Sequence, residues 1–252
     1  MAERSGVRVT AERLGLRGSR GWVFHDVTFD AHPGDLVAVT AGGGSGRTSL
    51  LLALGGRMRP STGEAGVDGL PLPRRARRVQ RISALGEMET VNELDDAVSV
   101  GGHVAERAHL VGRFARPRTI TAALVRVGLD LDRHTLVREL DTYERRLFGL
   151  ALALLGEPRL VLVDDVDARL ASDVRPLMWE RLAAVAESGP TVIAAGTDAP
   201  PDGLAQVRVP LDAPAEPPEP VRAAGATAVP AEDDAGTARI DDLLGPGEEG
   251  GR

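Results

Sequence analysis

Leu36-Val37-Ala38-Val39-Thr40-Ala41-Gly42-Gly43-Gly44-Ser45-Gly46-Arg47-Thr48-Ser49-Leu50-Leu51 is the stretch on which the fold turns. Its first five residues read as a buried strand announced by the turn pair Pro33-Gly34. Leucines at 50, 51 and 54 place a helix right after the glycines, over about 48–58. Strand, glycine loop and helix in that order expose backbone N–H groups at a helix N-terminus, which suits phosphate oxygens. The phosphate-loop pattern wants glycine, four residues, then Gly-Lys-Ser/Thr. Ala41 replaces the first glycine and Arg47 the lysine, while Gly46 and Thr48 are in place. Residues Gly42, Gly43, Gly44, Ser45, Gly46, Arg47, Thr48 and Ser49 are therefore the candidate phosphate cradle, and the Thr48 hydroxyl is the candidate Mg²⁺ ligand. Arg47 keeps the positive charge, but its planar head is bulkier than an ammonium.

Working outward, the 252 residues with 42% apolar content suffice for one large α/β domain or two small ones. Without cysteine, disulfides, thiolate metal sites and thiol nucleophiles are excluded, and a reducing cytoplasm is the expected setting. No apolar run approaches the roughly 20 residues that span a bilayer, and residues 1–9 lack the apolar core of a secretory signal. All 30 basic residues are arginine, so lysine chemistry is excluded. The net charge of −7 sits at the C-terminal end: residues 211–252 hold ten acids and three arginines, leaving 27 of each in residues 1–210. A near-neutral body argues against nucleic-acid binding.

Residues 7–39 read as short strands and turns, and residues 79–85 as a further strand. Residues 90–150 are rich in leucine, alanine and arginine, and read as a helical insertion. Leu160-Val161-Leu162-Val163 ending in Asp164-Asp165 reads as a strand buried in a parallel sheet. A helix over 173–187 and a strand over 191–195 complete a β-α-β rhythm. After Pro210 periodicity ends, so residues 211–252 are expected to form a disordered acidic tail behind a domain over 1–210.

Several landmarks resemble the nucleotide-binding subunits of ATP-binding-cassette (ABC) transporters over residues 7–200. They are Asp26-Val27-Thr28-Phe29 before Pro33-Gly34, Ser61-Thr62-Gly63-Glu64 with Val67-Asp68-Gly69, and Gly156-Glu157-Pro158-Arg159 before the Asp164 strand. The resemblance implies an α/β phosphate-loop NTPase fold: a parallel-sheet core, an N-terminal antiparallel β subdomain and a helical insertion. It also implies ATP and Mg²⁺ as ligands, with Asp164 on the metal and Asp165 where the family's water-polarising glutamate stands. Aspartate is one methylene shorter, so Asp165 is a catalytic candidate of reduced reach, or else a solvated or capping carboxylate.

Other family positions are altered. The signature place reads Leu140-Asp141-Thr142-Tyr143-Glu144, with both glycines gone and an aspartate whose charge would oppose a phosphate. Glu87 stands where the Q-loop glutamine is expected and could still hold a metal. Thr197 stands for the switch histidine, and the D-loop reads Ala168-Arg169-Leu170-Ala171. The family pattern puts its adenine-stacking aromatic at Gly18, leaving Trp22 as first candidate, then Phe24 and Phe29, with core packing the alternative. Arg74, Arg75, Arg77, Arg78 and Arg81 form a run suited to acidic lipids, to a partner or simply to solvent. The five histidines show no convincing ligand spacing.

The expected function is an ATP-binding subunit of a transport or membrane-associated complex with weak or absent hydrolysis. It would be cytoplasmic and peripheral on the inner membrane face, docked on a polytopic membrane subunit or paired in a heterodimer with another ABC subunit. A non-enzymatic pseudo-ATPase, acting as scaffold or regulator, is the alternative.

Overall fold

The computed structural model describes residues 6–89, 91–112 and 117–211. Most of the stretch read as an acidic tail, residues 212–252, lies outside the described residues. Among the described residues nine strands form two sheets. Strands β1 (Val9–Gly18), β2 (Gly21–Ala31), β4 (Thr62–Val67) and β5 (Leu70–Leu72) make an antiparallel sheet ordered β2-β1-β4-β5. Strands β3 (Leu36–Thr40), β6 (Ser83–Leu85), β7 (Leu160–Val163), β8 (Thr191–Gly196) and β9 (Val207–Pro210) make a parallel sheet ordered β6-β7-β8-β3-β9.

The unbroken apolar runs of β3, β7 and β8 follow from burial on both faces. Leu36, Ala38, Val161, Val163, Val192 and Ala194 join one core. It is filled by α3 (Val100–Leu110), α5 (Thr142–Leu154) and α6 (Arg175–Glu187), and α4 (Pro117–Arg126) packs on α5. Their neighbours Val37, Val39, Leu160, Leu162, Ile193 and Ala195 join the second core. There they meet α1 (Arg47–Leu54) and the inner face of the antiparallel sheet. The period-2 alternation thus divides one sheet between two cores.

Three readings are corrected in detail. Residues 79–85 are a helix and then a strand: α2 (Ala76–Ile82) precedes β6, because Ala76, Val79 and Ile82 recur every third residue and turn one helical stripe inward. Residues 7–39 hold two long strands, β1 and β2, before the short β3. The parallel sheet gains β9, beyond which Leu211 N–H still bonds to the Thr40 carbonyl. Among the described residues the expected helical insertion holds α3, α4, a short 3-10 helix (Val137–Glu139) and the first part of α5. Among the described residues no helix is long and apolar enough to cross a membrane.

Candidate functional site

In an open parallel sheet, ligands bind beyond the carboxyl ends of the strands. At that edge β7, β8 and β3 lie side by side and deliver Asp164-Asp165, Thr197 and the glycine loop. Gly46 caps α1 with φ 86°. A Cβ built there would lie 2.3 Å from the Val23 carbonyl oxygen, so only glycine fits where β2 presses on the loop. At Gly42, Gly43 and Gly44, by contrast, a Cβ would meet nothing within 4 Å. The Ser45 hydroxyl is buried and has no hydrogen-bond partner among the described residues. Open glycines, an unsatisfied hydroxyl and a helix N-terminus together fit a phosphate group.

The metal-side residues also converge. Thr48, in the first turn of α1, donates its hydroxyl to the Asp164 carboxylate, although 116 residues separate them. Asp164 is 3% exposed, and its other oxygen accepts the Asp165 N–H at 2.9 Å. Burial pushes the Asp164 carboxyl above its ordinary value; the Thr48 hydroxyl opposes that, and the Asp165 charge adds to it. Among the described residues no three His, Asp or Glu side chains cluster as a metal cage. A divalent ion here would draw on Thr48, Asp164 and phosphate oxygens, the usual arrangement for Mg²⁺.

Arg47 is where the site departs from a plain phosphate cradle. Its Nη1 donates to the Ala41 carbonyl at 2.9 Å and to Thr197 Oγ1 at 3.1 Å, and its Nη2 donates to Asp165 Oδ1 at 2.7 Å. One guanidinium therefore ties the ends of β3, β8 and β7 together. Its planar fork, with donors spread over two terminal nitrogens, meets all three acceptors at once. Asp165 itself sits at φ 46°, a left-handed conformation that aspartate tolerates better than most residues. Its carboxylate is engaged by Arg47.

Glu87 is buried, and its Oε1 accepts from Arg145 Nε at 2.9 Å and from the Leu94 N–H at 3.3 Å. Arg145, on α5, also bonds to Asp96 and to the Leu94 carbonyl at 3.0 Å. Through Oε1, the position read as a possible metal ligand ties α5 to the segment after β6. At the signature place, Asp141 caps α5: its carboxylate accepts the Glu144 N–H at 2.8 Å, and the Glu144 carboxylate accepts the Asp141 N–H at 3.1 Å. This reciprocal capping box explains why an acid stands there. Trp22 is half-buried on β2, with the Arg17 guanidinium 5.6 Å from its ring centre and the His25 ring 6.0 Å away. His103 is buried too, its Nε2 3.1 Å from the Asp95 carbonyl oxygen.

One residue escaped the sequence reading. Asp167, 2% exposed, accepts the Thr197 N–H at 2.9 Å and the Asp198 N–H at 2.6 Å. It fixes the loop after β8 to the loop after β7. The position three residues past the strand-ending Asp164 was its only trace in the sequence.

A glycine loop at a helix N-terminus, a hydroxyl paired with a strand-ending aspartate, and a parallel sheet flanked by an antiparallel one define a nucleotide-binding cassette of the phosphate-loop class. The family model described as ABC transporter matches residues 24–168. The chain is 33% identical over 165 residues to the cytochrome c biogenesis ATP-binding export protein CcmA of Cupriavidus necator, covering 66% of this chain and 72% of that protein. It is 34% identical over 171 residues to the lipoprotein-releasing system ATP-binding protein LolD of Pseudomonas syringae pv. tomato, covering 63% and 74%. Against the Nod factor export ATP-binding protein I of Cupriavidus pinatubonensis, 28% identical, it spans only 53% of the relative's length. In fold it is similar to cbiO1 from Clostridium perfringens, part of the ABC transporter complex cbiONQ. The TM-score is 0.64 at 20% identity, covering 75% of this chain and 78% of that one. The chain belongs to the ABC transporter family, as an ATP-binding subunit.

Proposed function

We propose that this chain captures Mg·ATP at residues 41–49 and turns it over slowly or not at all while serving a membrane transport complex. The observation that carries the reading is the division of the site. The cradle is open, but the Arg47 guanidinium and the Asp165 carboxylate are engaged with each other. Backbone N–H groups of the loop would orient the phosphates, Thr48 and Asp164 would hold Mg²⁺, and Trp22 would stack on adenine. When bound, the ion neutralises charge on the phosphate oxygens. Asp165 would have to exchange Arg47 for a water molecule before it could accept a proton, and its side chain is short for that task. Thr197 has a hydroxyl but no titratable ring with which to replace a switch histidine.

The partner we propose is a polytopic membrane subunit. A groove of about 290 Å³ between the sheet edge and the helical insertion suits a short helical segment of such a protein. Leu85, Leu94, His103, Arg107, Leu110 and Leu152 line it. Leu110 on its rim is 69% exposed. Since the signature place is spent on capping α5, nucleotide-driven closure would rely on a second ABC subunit with an intact signature, in a heterodimer on the inner face of the membrane. The capping role and the Arg47–Asp165 pair equally favour a second reading, a pseudo-ATPase that acts as scaffold or regulator.

Phosphate release from Mg·ATP, with and without the co-purified membrane subunit, separates the two. Slow turnover that rises in Asp165→Glu supports the first reading. No turnover with a membrane subunit still co-purified keeps the first, no turnover and no such subunit leaves the second, and turnover at an ordinary rate in the unaltered chain refutes the proposed division of the site.

A further inference from the structure

Five of the eight residues from Arg74 to Arg81 are arginine, and no acid occurs between Leu70 and Gly86. In a body with equal numbers of acids and arginines, this is a pronounced local excess. The structure makes it one surface. Val79 is fully buried, with Ala76 and Ile82 packed beside it, so α2 points its remaining side chains outward. Arg74, Arg75, Arg77, Arg78 and Arg81 are all exposed, around a depression of about 490 Å³. Some exposed arginines elsewhere are paired, as Arg8 with Asp30, Arg169 with Glu89 and Arg175 with Asp198, whereas these five form one unpaired cluster. Among the described residues, none of the five has a side-chain hydrogen bond or ion pair. Within α2, Arg77 and Arg81 stand four residues apart, a spacing at which like charges destabilise a helix.

The patch connects toward the Leu110 groove through the end of α1. A Cβ on Gly56 would lie 2.9 Å from the Ala76 carbonyl oxygen, and Gln80 donates to the Gly56 carbonyl at 2.6 Å. The next residue, Arg57, donates to Ser83 Oγ at 3.0 Å. Desolvation and, second, the charge of nearby Arg107 hold its guanidinium below its ordinary basicity. Arg107 lines the groove with Leu110. The arginine face is thus linked, through Gly56 and Arg57, to Arg107 on the groove proposed for a membrane partner.

We infer that this face of α2 rests on anionic lipid headgroups. The inference takes its orientation from the proposed groove, but its chemistry stands on the arginines. Several exposed cations without a buried polar anchor match a fluid layer of phosphates better than an ordered acidic segment, which would be met by fixed pockets. Each basic residue close to an anionic membrane strengthens binding by about fivefold, and the effect decays within a Debye length.

Flotation of the full chain with vesicles of phosphatidylcholine alone, or with about 30% phosphatidylglycerol, tests this without any membrane subunit. Binding is expected on the anionic vesicles only, abolished at about 0.5 M salt. Arg78→Gln should weaken it about fivefold, and the fivefold Arg→Gln variant should abolish it while Mg·ATP binding is kept. If the fivefold variant fails to fold, the five single substitutions must each weaken binding. Equal binding to both vesicles, retention by the variants, or capture of polyglutamate in place of vesicles overturns the inference. The groove reading fails separately: Leu110→Asp should release the membrane subunit in pull-down yet leave vesicle flotation unchanged. Recovery of that subunit with Leu110→Asp would refute the groove alone.

Discussion

Replacing Asp165 by asparagine should make the chain bind Mg·ATP more tightly, although it removes the carboxylate nearest to a catalytic role. In the free protein Arg47 is held by Asp165 at 2.7 Å, with side-chain exposures of 10% and 31%. Such a pair lies between exposed ion pairs, worth about 0.2–1 kcal/mol, and buried ones, whose rupture costs about 3–5 kcal/mol. We take about 1–2 kcal/mol. If Arg47 must leave Asp165 to meet a phosphate, the unaltered chain loses that much of its binding energy. Asparagine accepts the left-handed backbone at φ 46°, keeps the packing and removes most of the hold. At about 1.4 kcal/mol per decade, affinity should rise about 5- to 30-fold. Loss of a negative charge beside the phosphates acts in the same direction. Titration calorimetry at about 0.15 M salt measures it. A double-mutant cycle with Arg47→Gln isolates the pair, because in that background Asp165→Asn should have a much smaller effect. An unchanged or weakened affinity in the Asp165→Asn chain would refute the reasoning.

Asp167→Ala leaves the N–H groups of Thr197 and Asp198 without their buried acceptor; at about 1–3 kcal/mol each, the melting temperature should fall by about 5–15 °C in a thermal scan. Asp164→Asn should raise the melting temperature of the metal-free chain at pH about 7.5, since burial lifts this carboxyl above its ordinary value and folding favours its neutral form. With a raised folded-state value, the stability from the protonated group is fully present below the unfolded value and lost as pH rises through the folded one. The advantage of asparagine should therefore shrink in scans at pH about 4.5, while Mg²⁺-dependent nucleotide binding is lost at both.

Much of this was legible in the chain because burial on two faces leaves a plain trace. Residues 36–39, 160–163 and 192–195 are unbroken apolar runs, so the three strands that carry the site could be read directly. The glycine loop and Thr48 were equally plain, since local backbone geometry dictates them. What escaped was set by long-range contact. Arg47 and Asp165 are 118 residues apart, so nothing local says that the two altered positions engage each other. Asp141 was read as a repulsive charge. The Asp-x-x-Glu spacing to Glu144 is a capping-box signal, and its local energetics account for the residue. Helix α2 was read as strand because Val79 and Ile82 were taken with the apolar residues of β6, and the arginines hid a period of three. Val207–Pro210 was missed because only two of its four residues are β-formers.

The central claim is that the glycine loop holds the phosphates of a nucleotide, and a charge placed inside it is the most direct test. A Cβ at Gly43 would meet nothing within 4 Å, so Gly43→Asp should fold with an unchanged melting temperature while setting a carboxylate against the phosphates. Calorimetric titration of the full chain with Mg·ATP should give saturable one-to-one binding in the unaltered protein, weakened at least about tenfold in Gly43→Asp, a loss of about 1.4 kcal/mol. Equal affinity in the two proteins, or no saturable binding in the unaltered chain, would contradict it.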